Sequence, residues 1–371
     1  MGIEITIVGK SREPQVQSLD EKPAIVRHEP AFDFAGTEYR SLFDRSEASP
    51  FQHPIWLESF AQHLIKPRRA AMAPITGRDP WTGELRFVLP MVVRMKAGFT
   101  LLESCDLGVS DYAVPVVKAS YRPDDVGALR KAVQVALPKH DLMRVQPVRQ
   151  EHVPLWKMFL NASNEALGFS AHGVDLPPKG RDWRSEVLSD GFAKSLSRKL
   201  KKFAKEPTAR LERVLPGEAA SDAIRQLARL RSGRFEGDLI QQAFVEEFYA
   251  EIADKGAKDG LAQVFRAELE GEAIGYCFGL FHRGRFHYLL IGCDYERFGR
   301  YSPGLLLYEH MISDCVSNGG EVFDFTIGDE PFKQNFGTQP TPMFTLQNAA
   351  SWRGKLALAV MRAKRNLRAD H

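Results

Sequence analysis

A proline and a glycine side by side, Pro303-Gly304, join a strand-like run to a helix-like run, and this junction limits the fold more than any other feature of the chain. Phe286 to Ile291 is apolar and aromatic enough for a buried strand. Leu305, Tyr308, Ile312 and Val316 then recur at helical spacing, and Asn318-Gly319-Gly320 supplies a C-terminal stop. A second short strand, Glu321 to Ile327, completes a strand–loop–helix–strand unit. Pro303 suits the first helical position, where its missing N–H costs nothing, and Gly304 lets the backbone approach a ligand. Outward-facing amides and the positive helix end suit a pyrophosphate, with Arg297 and Arg300 as further cations. An ordinary strand-to-helix turn has the same spacing.

The runs RYSPGLLLYEHMI (300–312) and FDFTIGDEPFKQNFG (323–337) resemble the bacterial acetyltransferase family associated with cellulose and other exopolysaccharide biosynthesis. That family is a branch of the GNAT superfamily with Fem-like organisation. SPFQHPIWLESF (49–60) extends a looser likeness toward the start of the chain. Two departures stand out: Thr326-Ile327 replaces glycine plus a basic residue, and Phe332 replaces tyrosine, which removes a hydroxyl. The resemblance implies an α/β fold of two GNAT-like lobes in tandem, with mixed central sheets flanked by helices. It places an acceptor-side lobe at 32–176 and the acyltransferase lobe at 177–350, after a lead-in at 1–31 and before a basic helix at 351–371.

The same resemblance implies direct acyl transfer from acetyl-CoA or another acyl-CoA to an amino sugar or sugar hydroxyl, free or lipid-linked, in exopolysaccharide biosynthesis. Leu289, Ile291 and Gly292 would run along the pantetheine arm, and Tyr301, Ser302 and Gly304, with Arg297 and Arg300, would hold the pyrophosphate. An acceptor attacking a thioester needs a group to take its proton. His287, Asp324, Asp329 and Glu330 are the candidates; Asp329 fits the family segment best, as base or acceptor contact, and Lys333 is a cation for substrate or phosphate. Phe51 and Trp56 lie on an apolar helical face that either lines a substrate cleft or packs a core.

For 371 residues, 44% hydrophobic and 26% charged, two domains of an ordinary globular protein are expected, and a net charge of +3 names no partner. Cys105, Cys277, Cys293 and Cys315 lack paired metal spacing, so buried thiols in a reducing cytoplasm, and no metal, are expected. Strands are expected at Leu85–Val93, Phe99–Leu102, Ala113–Val117 and Leu142–Val148, with a linker near Asp175–Gly180. Phe192–Lys205 carries six cations and no acid. Fem-type enzymes draw on aminoacyl-tRNA, which makes tRNA the alternative donor; a non-catalytic nucleotide-binding scaffold of polysaccharide assembly is another. Trp352–Arg368 again carries six cations without an acid and is expected to dock through Trp352, Leu356, Val360 and Leu367. Its arginines suit peripheral contact with an inner membrane or a cyclic dinucleotide; no DNA partner is expected.

Overall fold

The structure of the chain, a computed structural model, describes residues 24–369. The strands are β1 (Ile25–His28), β2 (Ala70–Met72), β3 (Ile75–Arg78), β4 (Leu85–Leu89), β5 (Met91–Lys96), β6 (Phe99–Ser104), β7 (Val116–Val117), β8 (Leu142–Arg149), β9 (Ser163–Asp175), β10 (Arg210–Arg213), β11 (Ala262–Leu269), β12 (Glu272–His282), β13 (Arg285–Cys293), β14 (Val322–Ile327) and β15 (Gln339–Ala349). β1, β3, β4 and β7 form a small antiparallel sheet, while the others run as one sheet in the order β10-β11-β12-β13-β14-β9-β15-β8-β6-β5-β2. Two pairs in that sheet are parallel, β6–β8 in one half and β13–β14 in the other.

The halves are tied by exchange. β9, from the middle of the chain, completes the half containing β13 and β14, and β15, from its end, completes the half containing β8; the two pair with each other. β15 is hard to read as a strand because Pro340 and Pro342 lack amide hydrogens. They are tolerated because pairing to β8 begins only at Met343, so that stretch has a neighbouring strand on one side alone. The run expected as one strand over Leu85–Val93 is two: it breaks at Pro90, with β4 in the small sheet and β5 in the large one. The expected lead-in is also shorter, because β1 pairs with β3; its residues 1–23 lie outside the described part.

Helices cover both faces. Pro54–His63, Glu218–Arg231 and Ala243–Lys258 pack on one side, where Trp56 meets Phe248 edge-on at 4.9 Å. Pro303–Ser317 and the basic helix Asp190–Ala204 share the other core with Phe286 and Phe323, which stack at 5.1 Å. Aromatic burial of this kind dominates core energetics. The four cysteines are buried and unpaired.

The C-terminal helix, Trp352–Ala369, docks by a face other than the expected one. Trp352 is 71% exposed, and Leu356 and Val360 are exposed as well, whereas Ala357 packs with Leu101 and Leu142. Leu367 lies where side chains are not described. The reason is Gly354: a side chain there would meet the Asp141 carbonyl oxygen at 1.8 Å, so only a glycine lets the helix approach this closely. Among the described residues no helix is long and apolar enough to cross a membrane.

A second glycine is fixed by β13. A Cβ on Gly279 would lie 2.5 Å from the His287 carbonyl oxygen and from the Phe286 ring. Gly279→Ala is expected to cost about 1–3 kcal/mol through overpacking, read as a lower midpoint in urea; an unchanged midpoint would show that β12 and β13 can move apart there.

Candidate active site

β13 and β14 pair only over Arg285–His287 against Val322–Asp324 and then diverge. Two local features open the wedge. In β13 the register to β12 slips between Phe278 and Gly279, pairing them with Leu290 and Tyr288 and leaving Leu289 as the extra residue of a bulge. In β14, Thr326 has φ +57°, a conformation rare for a β-branched residue, and its hydroxyl donates to the Tyr288 carbonyl at 2.9 Å. The expected glycine at this position is explained by that angle; here a threonine holds it.

A cavity of about 620 Å³ fills the wedge, lined among others by Tyr288, Leu289, Ile291, Ser302, Gly304 and Tyr308. The helix Pro303–Ser317 points its N-terminus at it, with Pro303 in the first turn and Ser302 at φ +56°. At Gly304 an added Cβ would meet the Tyr295 hydroxyl at 2.2 Å, so a larger residue there would have to displace that side chain. Two lysines of the basic helix converge here: Lys199 Nζ donates to Ser302 Oγ at 2.6 Å and Lys202 Nζ to the Arg300 carbonyl at 3.1 Å. Arg231, held by both oxygens of Asp238, lines the cavity and donates to the Ile291 carbonyl at 2.9 Å. Spacing alone did not single out Lys199, Lys202 or Arg231, because they come from other helices.

Several expected residues lie elsewhere. Phe51 and Trp56 are fully buried, so neither can line a cleft: Phe51 packs on Tyr112, and Trp56 Nε1 donates to Ser110. Gly292 packs beneath the helix Glu218–Arg231, 2.5 Å from the Leu227 carbonyl oxygen to an added Cβ. Arg297 is exposed and bonded to Glu272; Arg300 lies over the Tyr301 ring, whose hydroxyl donates to Glu206. Lys333 does line the cavity, but it is buried and spends its ammonium on the carbonyls of Ile327 and Gly328 and on Glu330.

The carboxylates separate clearly. Asp324 is wholly buried and receives Tyr112 Oη at 2.8 Å, the Thr326 amide at 2.8 Å, Arg149 at 3.0 Å and Arg285 at 3.3 Å. Asp329 is half exposed and bonded to His172 at 2.8 Å, and Glu330 lines the cavity. His287 faces a different cavity, and burial pushes its pKa down to about 4. A carboxylate that joins Glu330 in lining the cavity of the wedge is Asp111, from the turn before β7. Burial raises its pKa to about 7, while the neighbouring Thr326 side chain and the Lys333 charge pull it back. Nothing local in the sequence marks Asp111; only the closing of one half on the other delivers it. Tyr288 and Tyr308 complete the cavity with their hydroxyls 3.0 Å apart, both pushed by burial well above the usual phenol range.

Residues 191–334 match the model of an acetyltransferase (GNAT) domain. None of the curated proteins compared with the chain matches it. Among solved structures, FemX is 12% identical over 87% of this chain and 97% of its own, with a TM-score of 0.60. L-PGS from Bacillus licheniformis is 12% identical over 91% and 98%, with a TM-score of 0.53. A conserved protein of unknown function from Bacteroides thetaiotaomicron is 12% identical over 88% and 100%, also with a TM-score of 0.53. Residues 191–334 thus match a GNAT acetyltransferase domain, and the chain as a whole shares the fold of FemX.

Proposed function

We propose that the chain transfers an acetyl group from acetyl-CoA to an amino sugar or sugar hydroxyl of a bacterial surface polysaccharide precursor. The carrying observation is the wedge between β13 and β14, which has a helix N-terminus at one end and Asp111 in its wall. The pyrophosphate sits against Ser302–Gly304 with Lys199 and Lys202 beside it, and the pantetheine arm runs along Leu289 and Ile291. The acceptor attacks the thioester carbon as Asp111 takes its proton. Backbone amides at the Leu289 bulge steady the tetrahedral oxyanion. Collapse of the intermediate breaks the C–S bond; the thiolate leaves beside the Tyr308 hydroxyl, which its raised pKa keeps protonated as a hydrogen-bond donor, and the proton held by Asp111 returns through solvent to the thiolate. Catalysis is then a matter of position and polarity, with no covalent enzyme intermediate.

A second reading, aminoacyl transfer from charged tRNA, is favoured by the basic helix, whose cations border the same loop. Titration calorimetry separates the two. Acetyl-CoA is expected to bind at micromolar strength, about −8 kcal/mol, with binding lost in Gly304→Glu and weakened about tenfold in Lys199→Gln, which leaves the loop backbone alone. No binding by the wild type would turn the search to charged tRNA.

Asp111→Asn is expected to lower kcat by about 10²–10⁴-fold and to abolish the acidic limb of the pH–rate profile near pH 7. An unaltered limb would remove Asp111 from the chemistry. The same pKa has a stability consequence. Folded Asp111 keeps a proton that the unfolded chain releases near the ordinary value of 3.8, so its contribution to stability falls as pH rises from there to about 7 and is level above. Asp106, also raised to about 7, acts in the same direction in both proteins. Urea unfolding from pH 4.5 to 8 should therefore show Asp111→Asn gaining stability on the wild type up to about pH 7; parallel curves would mean an unshifted carboxyl.

A further inference from the structure

A second cavity, of about 250 Å³, lies behind the wall of the first. Alternation along the chain puts neighbours on opposite sides: Asp111 and Tyr288 face the acyl cavity, whereas Tyr112 and His287 face this one. Three imidazole nitrogens in its lining, His287 Nδ1, His282 Nε2 and His152 Nδ1, are buried without a hydrogen-bond partner. His287 is 4% exposed. Buried polar atoms are ordinarily satisfied, and the acyl-transfer reading uses none of these.

Guanidinium groups stand beside the imidazoles. Arg285 enters from β13 with 36% of its side chain exposed, and Arg283 stands at the mouth, donating to the Phe43 and Asp44 carbonyls. The opposing carboxylates are accounted for. Asp324 is shared by Arg149 and Arg285 and takes the Tyr112 hydroxyl; Glu151 pairs with Arg149 and Glu47 with Arg283, both from exposed positions at the rim. Burial and the neighbouring arginines keep His287 and His282 neutral at pH 7, each with a pKa pushed down to about 4. What faces inward is therefore a set of neutral imidazole nitrogens and two partly exposed cations.

We infer that this cavity is a binding site, separate from the acyl-donor cavity, for a compact ligand bearing one anionic group and hydroxyls. The anionic group, a carboxylate or a phosphate, lies against Arg285 and Arg283, and the hydroxyls pair with the orphaned imidazoles. Guanidinium–anion pairs supply the selectivity over neutral ligands, since charge-assisted hydrogen bonds are roughly twice as strong as neutral ones. The volume matches a ligand group of monosaccharide size.

The test is calorimetric titration of the full chain at pH 7.5, without acetyl-CoA, using glucose 6-phosphate, glucuronate and glucose as probes. At least one of the two anions should bind at least tenfold more tightly than glucose, and Arg285→Gln should weaken it about tenfold. The anion that wins tells phosphate from carboxylate. Binding should also move the His287 imidazole resonances. Equal affinity for all three probes, or an Arg285→Gln protein that binds as the wild type does, overturns the site. Should circular dichroism show Arg285→Gln to be unfolded, Arg283→Gln at the mouth carries the same expectation and the same refutation. Because acetyl-CoA is absent, the outcome does not depend on the donor assigned above.

Discussion

Asp324 carries a charge with no access to water, and the shape of the whole site depends on how that charge is met. An isolated buried carboxylate is prohibitive, and removing one partner of a buried pair costs about 3–5 kcal/mol. Here the partners come from both halves of the chain: Tyr112 and Arg149 from the first, Arg285 and the Thr326 amide from the second. The carboxylate therefore fixes how the halves meet. It also bends its own strand. By drawing the Thr326 amide back to Oδ1 it holds Thr326 at positive φ, at the point where β14 parts from β13 and slips register on β9.

That bend is the origin of the cavity between β13 and β14, and the segment that follows keeps it open. Gly328 at φ +110° turns the chain, and the Lys333 ammonium closes the turn on the carbonyls of Ile327 and Gly328. Phe332 stacks on Tyr308 at 5.2 Å, so the aromatic that lacks a hydroxyl steadies one that has it. The segment most suggestive of chemistry in the sequence is thus largely scaffolding for the cavity beside it. A carboxyl near pH 7 and two protonated phenols are what a direct transfer to a nucleophile needs.

How much was legible follows from the range of each signal. Pro303-Gly304, the helix after it and the two strands around it were readable because periodicity and caps are local, and the structure places them within a residue or two. The docking face of the C-terminal helix was misjudged because apolar residues mark a face that could be buried, whereas Gly354 marks the face that is. Phe51 and Trp56 read equally as cleft or core; full burial decides for core. β9 and β15 escaped notice because one is polar and the other carries two prolines. Their strand character comes from the neighbours they pair with.

The sequence by itself determined the α/β character of the chain and a helix end suited to a pyrophosphate, since each rests on residues a few positions apart. Tertiary structure alone decided that Asp111 lines the cavity between β13 and β14, which lysines border the loop at Ser302 and where a second cavity forms. Asp111 and β13 are far apart in the chain, as are Lys199 and Ser302, and their meeting is set by strand exchange and by the burial of one charge. A local pattern records what a segment can form. The exchange of β9 and β15 determines what it faces.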